Sequence, residues 1–192
     1  MAFEVHGESA EIKNVKVKTA DGVRIQAANP AGLVVWVWGN ATISNCEVTA
    51  DIRAWVDSNN TQGRRFAGGI VSTVSKGTIT QCIFHSIEST LTGTTSNIIY
   101  YGGIVGGIEK RDGSGDEPSL TITDCTSFMT VAEDKYHGGI LGNSLLGNST
   151  TATKDCQGNW WPNGCNGVGT YVGSIEATIG KRNAITPTEK TF

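Results

Sequence analysis

The sequence predicts an all-β fold, a single-domain parallel β-solenoid of about five turns with three short strands in each. Three observations carry that expectation. One pattern returns five times in 192 residues, at 31–46, 67–82, 101–125, 137–156 and 168–179, and self-similarity at this period marks stacked repeats. Within each copy, small and apolar residues alternate with period two, without helical spacing. Glycine is abundant, 25 residues against 4 prolines, which suits tight, repeated turns more than a flexible linker.

Residues 1–30 read as a partial first turn, because Ile12, Asn14 and Val15 of EIKNVKV (11–17) match Ile43, Asn45 and Cys46. The repeats proper occupy 31–180, and 181–192 form a C-terminal tail. The leading glycines Gly68, Gly102, Gly138 and Gly169 are 34, 36 and 31 residues apart, and each glycine pair marks a corner that a side chain would obstruct. The first strand comes next, with Ile70, Ile104 and Ile140 setting the inward side in strict alternation. The second is the Thr-Ile-Thr segment or its variant (42–44, 78–80, 121–123), isoleucine inward and hydroxyls outward. The third begins at each cysteine; in CEVTADIRAWV, positions 46, 48, 50, 52 and 54 are all apolar. Equivalent residues would stack at about 4.8 Å, the ordinary spacing of paired strands, and parallel crossovers of this kind are right-handed in nearly all cases.

Stacking assigns the remaining repeat residues. Asn45, Gln81, Asp124 and Asp155 occupy the corner before the third strand, where side-chain amides can bond the turn above or below. Cys46, Cys82, Cys125 and Cys156 form an inward column of small apolar groups. Parallel neighbours have Cβ atoms about 4.8 Å apart, beyond the roughly 3.5–4.5 Å that a disulfide prefers, so free thiols are expected there. Cys165 stands outside the column as the one available partner, for Cys156.

Composition excludes several classes. Apolar residues make up 38% and charged residues 17%, too apolar for a disordered chain. A net charge of −3 and a pI near 5.6 give no electrostatic case for nucleic acid or an acidic membrane surface. The longest apolar run, Leu33 to Trp38, is six residues, far short of the ~20 that a spanning helix needs. Residues 1–20 lack the features of a signal peptide.

The segments G-G-I-V-G-G-I (102–108), H-G-G-I-L-G (137–142) and A-G-G-I-V-S (67–72) resemble the GLUG-type repeats of bacterial surface and secreted proteins. The resemblance covers about 31–180 and departs at Val35-Trp36-Val37-Trp38 and at Thr170-Tyr171. It implies a β-helix outside the cytoplasm with any signal already removed, and a non-catalytic, adhesin-like role.

Two groups are candidate contact sites. Val34, Val71, Val105, Leu141 and Val172 recur on the side of the first strand opposite the inward isoleucines. An exposed aliphatic row of that length needs a cover, supplied either by the same chain or by a partner. Trp36 and Trp38 point outward on an early turn, and Trp160 and Trp161 lie in a turn-rich segment near the other end. Indoles there serve as end plugs or subunit contacts, or as a platform for sugar rings. The acidic segment 111–118 lacks the full calcium-loop pattern and reads as a solvated turn. Outward Thr78, Thr80, Thr121 and Thr123 make a flat hydroxyl array, degrading to Thr42/Ser44 on one side and Ala152/Lys154 on the other, and raise ice binding as a minor reading. His6, His85 and His137 sit in no nucleophile or metal motif, so no enzyme, cofactor or metal is expected. The expected function is a non-enzymatic, extracellular structural or adhesive module that contacts copies of itself or a larger surface assembly, by extension in a filament. The alternative is a carbohydrate-binding module or degenerate polysaccharide lyase.

Overall fold

A computed structural model describes residues 2–54, 65–86, 99–110, 118–129, 137–143, 153–155 and 159. Every element among them is a β-strand and every strand pairing is parallel. The chain is a β-solenoid. The described residues make about three turns against the expected five, since the last repeats lie largely outside them.

Successive turns feed the same sheets in the same order. The first sheet stacks Ala2–His6, Val34–Trp38, Val71–Val74, Val105–Ile108 and Leu141–Asn143. The second stacks Glu11–Lys13, Ala41–Ser44, Lys76–Thr80, Ser119–Thr123 and Thr153–Asp155. The third stacks Lys16–Lys18, Glu47–Ala54, Ile83–Ser86 and Thr126–Phe128, with Arg24–Ala27 paired to the later half of Glu47–Ala54. The interior between them is apolar: Ile43, Ile79 and Ile122 from the second sheet and Val48 and Phe84 from the third are wholly buried.

A fourth sheet goes beyond the three strands per turn that the repeat pattern predicts. Arg65–Gly68, Ile99–Gly102 and His137–Gly138 pair in parallel just ahead of the first-sheet strands, so a turn such as 65–86 contains four strands. This cover sheet packs against the first sheet. Ser72 Oγ donates to the Phe66 carbonyl at 2.7 Å, and a Cβ built on Gly107 would lie 2.2 Å from the Phe66 ring. Gly106 and Gly142 face the backbone of Ala67 and Tyr101 in the same way. Phe66 and Tyr100 stack along the cover sheet, centroids 5.8 Å apart. On its other side, the Tyr101 hydroxyl donates to the Ile52 carbonyl at 3.2 Å, joining it to the third sheet.

The glycine pair makes the fold-back possible. A Cβ on Gly68 or Gly102 would sit 1.7 Å from the carbonyl oxygen of Val71 or Val105, where no side chain fits. Register survives although the segments between Ala54 and Arg65, Ser86 and Ile99, and Phe128 and His137 differ in length.

Candidate functional site

The inside and outside of the first sheet define the site, and they differ from the expected ones. Val34, Val71, Val105 and Leu141 are not an exposed row: each is wholly buried, in one cluster with Leu33, Ile70, Ile104 and Ile140. Strict alternation fails because consecutive amides share one acceptor. Ile70 and Val71 both donate to the Ile104 carbonyl at 3.0 Å, and Leu33 and Val34 both donate to Ile70 at 3.1 Å. Register stays one to one, Gly68 with Gly102 and Val71 with Val105, so the shared acceptor marks a bend at Gly69–Ile70 that each turn repeats, and adjacent side chains both reach apolar surroundings. Val172, Trp160 and Trp161 lie outside the described residues.

The exposed counterpart lies on the first two rungs of that sheet. Parallel register sets Glu4 opposite Trp36 and His6 opposite Trp38. The Trp38 indole N–H donates to the Glu4 carboxylate at 2.5 Å, and its ring meets His6 edge-on at 6.2 Å. Trp36 stands 5.6 Å from Trp38 at an interplanar angle of 38°. Both indoles are half-buried, and Phe3, on the end strand with Glu4 and His6, is 73% exposed. On later rungs the positions in register with Trp36 are Thr73, Gly107 and Asn143, all buried. Sequence reasoning found the tryptophans but missed Phe3, Glu4 and His6, which pairing AFEVH (2–6) against VVWVW (34–38) would have revealed.

The column residues divide. Cys46, Cys82 and Cys125 are buried free thiols, each donating to the carbonyl two residues back, at 3.2, 3.3 and 3.4 Å. Hydrogen bonding to the neighbouring thiol, then burial, pushes the Cys46 and Cys82 thiols well above their ordinary range. Asn45, Gln81 and Asp124 hold the corner at φ values of 50°, 55° and 54°, a left-handed turn that short polar side chains tolerate best. The Asn45 amide donates to Asn14 Oδ1 at 2.7 Å, one rung away.

The fourth copy departs from this pattern. Asp155 is in register with Thr121, not with Asp124; Cys156 and Cys165 lie outside the described residues. Buried Asn159 closes the column instead, accepting the Cys125 N–H at 2.8 Å and donating to the Ile122 carbonyl at 2.7 Å. Two unsatisfied backbone groups are thus met by one amide, which the motif alignment could not anticipate because Asn159 falls outside it.

The ionisable side chains elsewhere serve packing. Glu47, nearly buried, lies 3.0 Å from Lys16 Nζ and 3.9 Å from His85 Nε2, while His85 stacks on Phe128 at 4.6 Å. Arg24 Nε donates to Asp51 at 2.7 Å. Among the described residues no three His, Cys, Asp or Glu side chains converge as a metal site. Fold and site together define a parallel β-solenoid bearing an aromatic patch on the rung where, among the described residues, the cover sheet is reduced to the single bridge between Ala31 and Gly68. No protein family, curated protein or solved structure matches the chain.

Proposed function

We propose that the chain is a non-enzymatic, extracellular structural or adhesive module that contacts protein partners, copies of itself included, through Phe3, Trp36, Trp38 and His6. One observation carries the reading: the side of the first sheet that is buried at Thr73, Gly107 and Asn143 bears half-exposed indoles on its second rung, beside Glu4 and His6 of the first, and Phe3 on the same end strand is 73% exposed. Aromatic anchors of this kind dominate the energetics of interfaces. The likeness to GLUG-type surface repeats supports placement at the cell surface or in the secreted fraction. The end rung carries Glu11, Lys13, Lys16 and Lys18 on exposed positions. Charges on an edge oppose loose strand pairing, so a filament would need complementary charges on the opposite end.

Sedimentation velocity across a wide concentration range tests the reading. Concentration-dependent association is expected for the wild type, and loss of it for the Trp36→Ala/Trp38→Ala double variant. A wild type that stays monomeric at every concentration and adheres to no protein-coated surface rejects the proposal.

A glycan-binding reading is favoured by one feature, the indole pair held beside a carboxylate and an imidazole. Aromatic faces take sugar C–H groups while the polar neighbours take hydroxyls. Tryptophan fluorescence titrated with a glycan panel decides it; an unchanged spectrum throughout removes it.

A further inference from the structure

The outward side of the second sheet carries a different chemistry from the aromatic patch. Thr42, Thr78 and Thr121 stand in one file and Ser44, Thr80 and Thr123 in a second, in unbroken parallel register. All six are half-exposed, and behind them Ile43, Ile79 and Ile122 are wholly buried, so the grid rests on close-packed core. Its repeats are about 4.8 Å between rungs and roughly 6.6 Å between alternate residues of a strand. Threonine side chains are stiff about χ1, and the Thr123 hydroxyl already bonds that of Thr80 at 3.0 Å along one file. The six positions themselves are uncharged, and Lys76, paired with Ser119, follows in the next file on the same side. The Glu11–Lys13 ion pair, 2.9 Å, frames the grid on one side, and the Asp155 position, in register with Thr121, bounds it on the other.

This composition is wrong for a protein interface, which concentrates aromatic and arginine anchors. It is right for a partner that is itself periodic in two directions, is uncharged, and presents groups that both donate and accept hydrogen bonds, as each hydroxyl here does. Water molecules in a crystal meet all three conditions. We propose that the face formed by Thr42, Ser44, Thr78, Thr80, Thr121 and Thr123 binds ice. Water ordered over the two files joins the lattice, and the close-packed core beneath fixes the positions those molecules take. This activity is independent of the aromatic patch.

Single-crystal ice growth in a nanolitre osmometer, with a recrystallisation assay on the full chain, tests it. The wild type is expected to facet growing crystals and slow recrystallisation, with only a small freezing gap because the grid spans three rungs. Thr78→Lys/Thr121→Lys abolishes both effects. Thr121→Ala, a smaller change to the fold, removes at least half of the recrystallisation inhibition. Val23→Lys, at an exposed position off the grid, and Trp36→Ala/Trp38→Ala leave both effects intact. Rounded crystals with the wild type, as in buffer alone, overturn the proposal, and so does activity that survives both threonine variants. Failure to shape ice combined with threonine-dependent sedimentation on crystalline cellulose or chitin also overturns it, and assigns the face to a crystalline polysaccharide instead.

Discussion

Rungs of one sheet meet two different surroundings in this molecule. At Val71–Val74, Val105–Ile108 and Leu141–Asn143 a covering strand packs against the first sheet, and the residues beneath it are small: Ser72, Gly106 and Gly142, with Gly107 under the Phe66 ring. At Ala2–His6 and Val34–Trp38 the same positions hold Phe3, Glu4, Val35 and Trp36. Side-chain size therefore reports whether a neighbour is present. The contrast teaches that the break at 35–38 in the repeat motif coincides with the end of a packed layer. Large aromatic side chains concentrate there because the fold no longer demands small residues.

That contrast can be broken most violently at the covered rungs. Gly102→Ala sets a methyl against the Val105 carbonyl oxygen, 1.7 Å from where its Cβ belongs. Backbone must move, and a loss of more than about 3 kcal/mol is expected, read as a collapse of the thermal transition monitored by circular dichroism. Ile79→Ala, on the central rung of the second sheet, leaves a cavity and should cost about 2–5 kcal/mol, measurable by urea unfolding. The uncovered rungs should behave oppositely. Trp36→Ala is expected to change stability by only about 1 kcal/mol, since the ring is half-buried, while removing most of the proposed association, as read by sedimentation.

Smaller effects sharpen the comparison at the corners. Asn45→Ala forces an alanine to φ near 50° and deletes the amide bond to Asn14, an expected loss of about 1–2 kcal/mol; Asn45→Gly relieves the strain and should recover about half. The thiols give a pH signature. Their folded pKa values lie above the unfolded ones, so above the ordinary thiol pKa of about 8.5 the unfolded chain binds fewer protons than the folded one. Stability from this source is complete below that pH and declines as pH rises. Denaturation midpoints at pH 7 and pH 10 should show the decline in the wild type and less of it in Cys46→Ala.

Much of the fold was legible in sequence. Ile43, Ile79 and Ile122 declared the second sheet because one face only is buried, which period-two alternation reports faithfully. The even positions from Cys46 to Ala54 declared the third in the same way. Alternation misled at Val34, Val71, Val105 and Leu141. A parallel strand buried on both faces reads as a near-continuous apolar run, and the paired amides at 70 and 71 disrupt the period further. The cover sheet had a signal, Phe66-Ala67 and Tyr100-Tyr101 directly before the glycines. It was hidden because the segments preceding it share no length or pattern between copies. The Asp155 register could not be read, since a match to D-C spacing says nothing about which carbonyl a strand meets in the next turn.

Register that holds while connecting segments change length has a consequence for how such a chain varies. The rungs act as a fixed chassis, positioned by glycine corners and amide-bonded bends, and the stretches entering each covering strand can be rewritten without retiming the next rung. Foreign peptides spliced between Ser86 and Ile99 should therefore leave the pairing of Ile99–Gly102 with Arg65–Gly68 unchanged. Diversification by replacing these segments needs no compensating change in the stack.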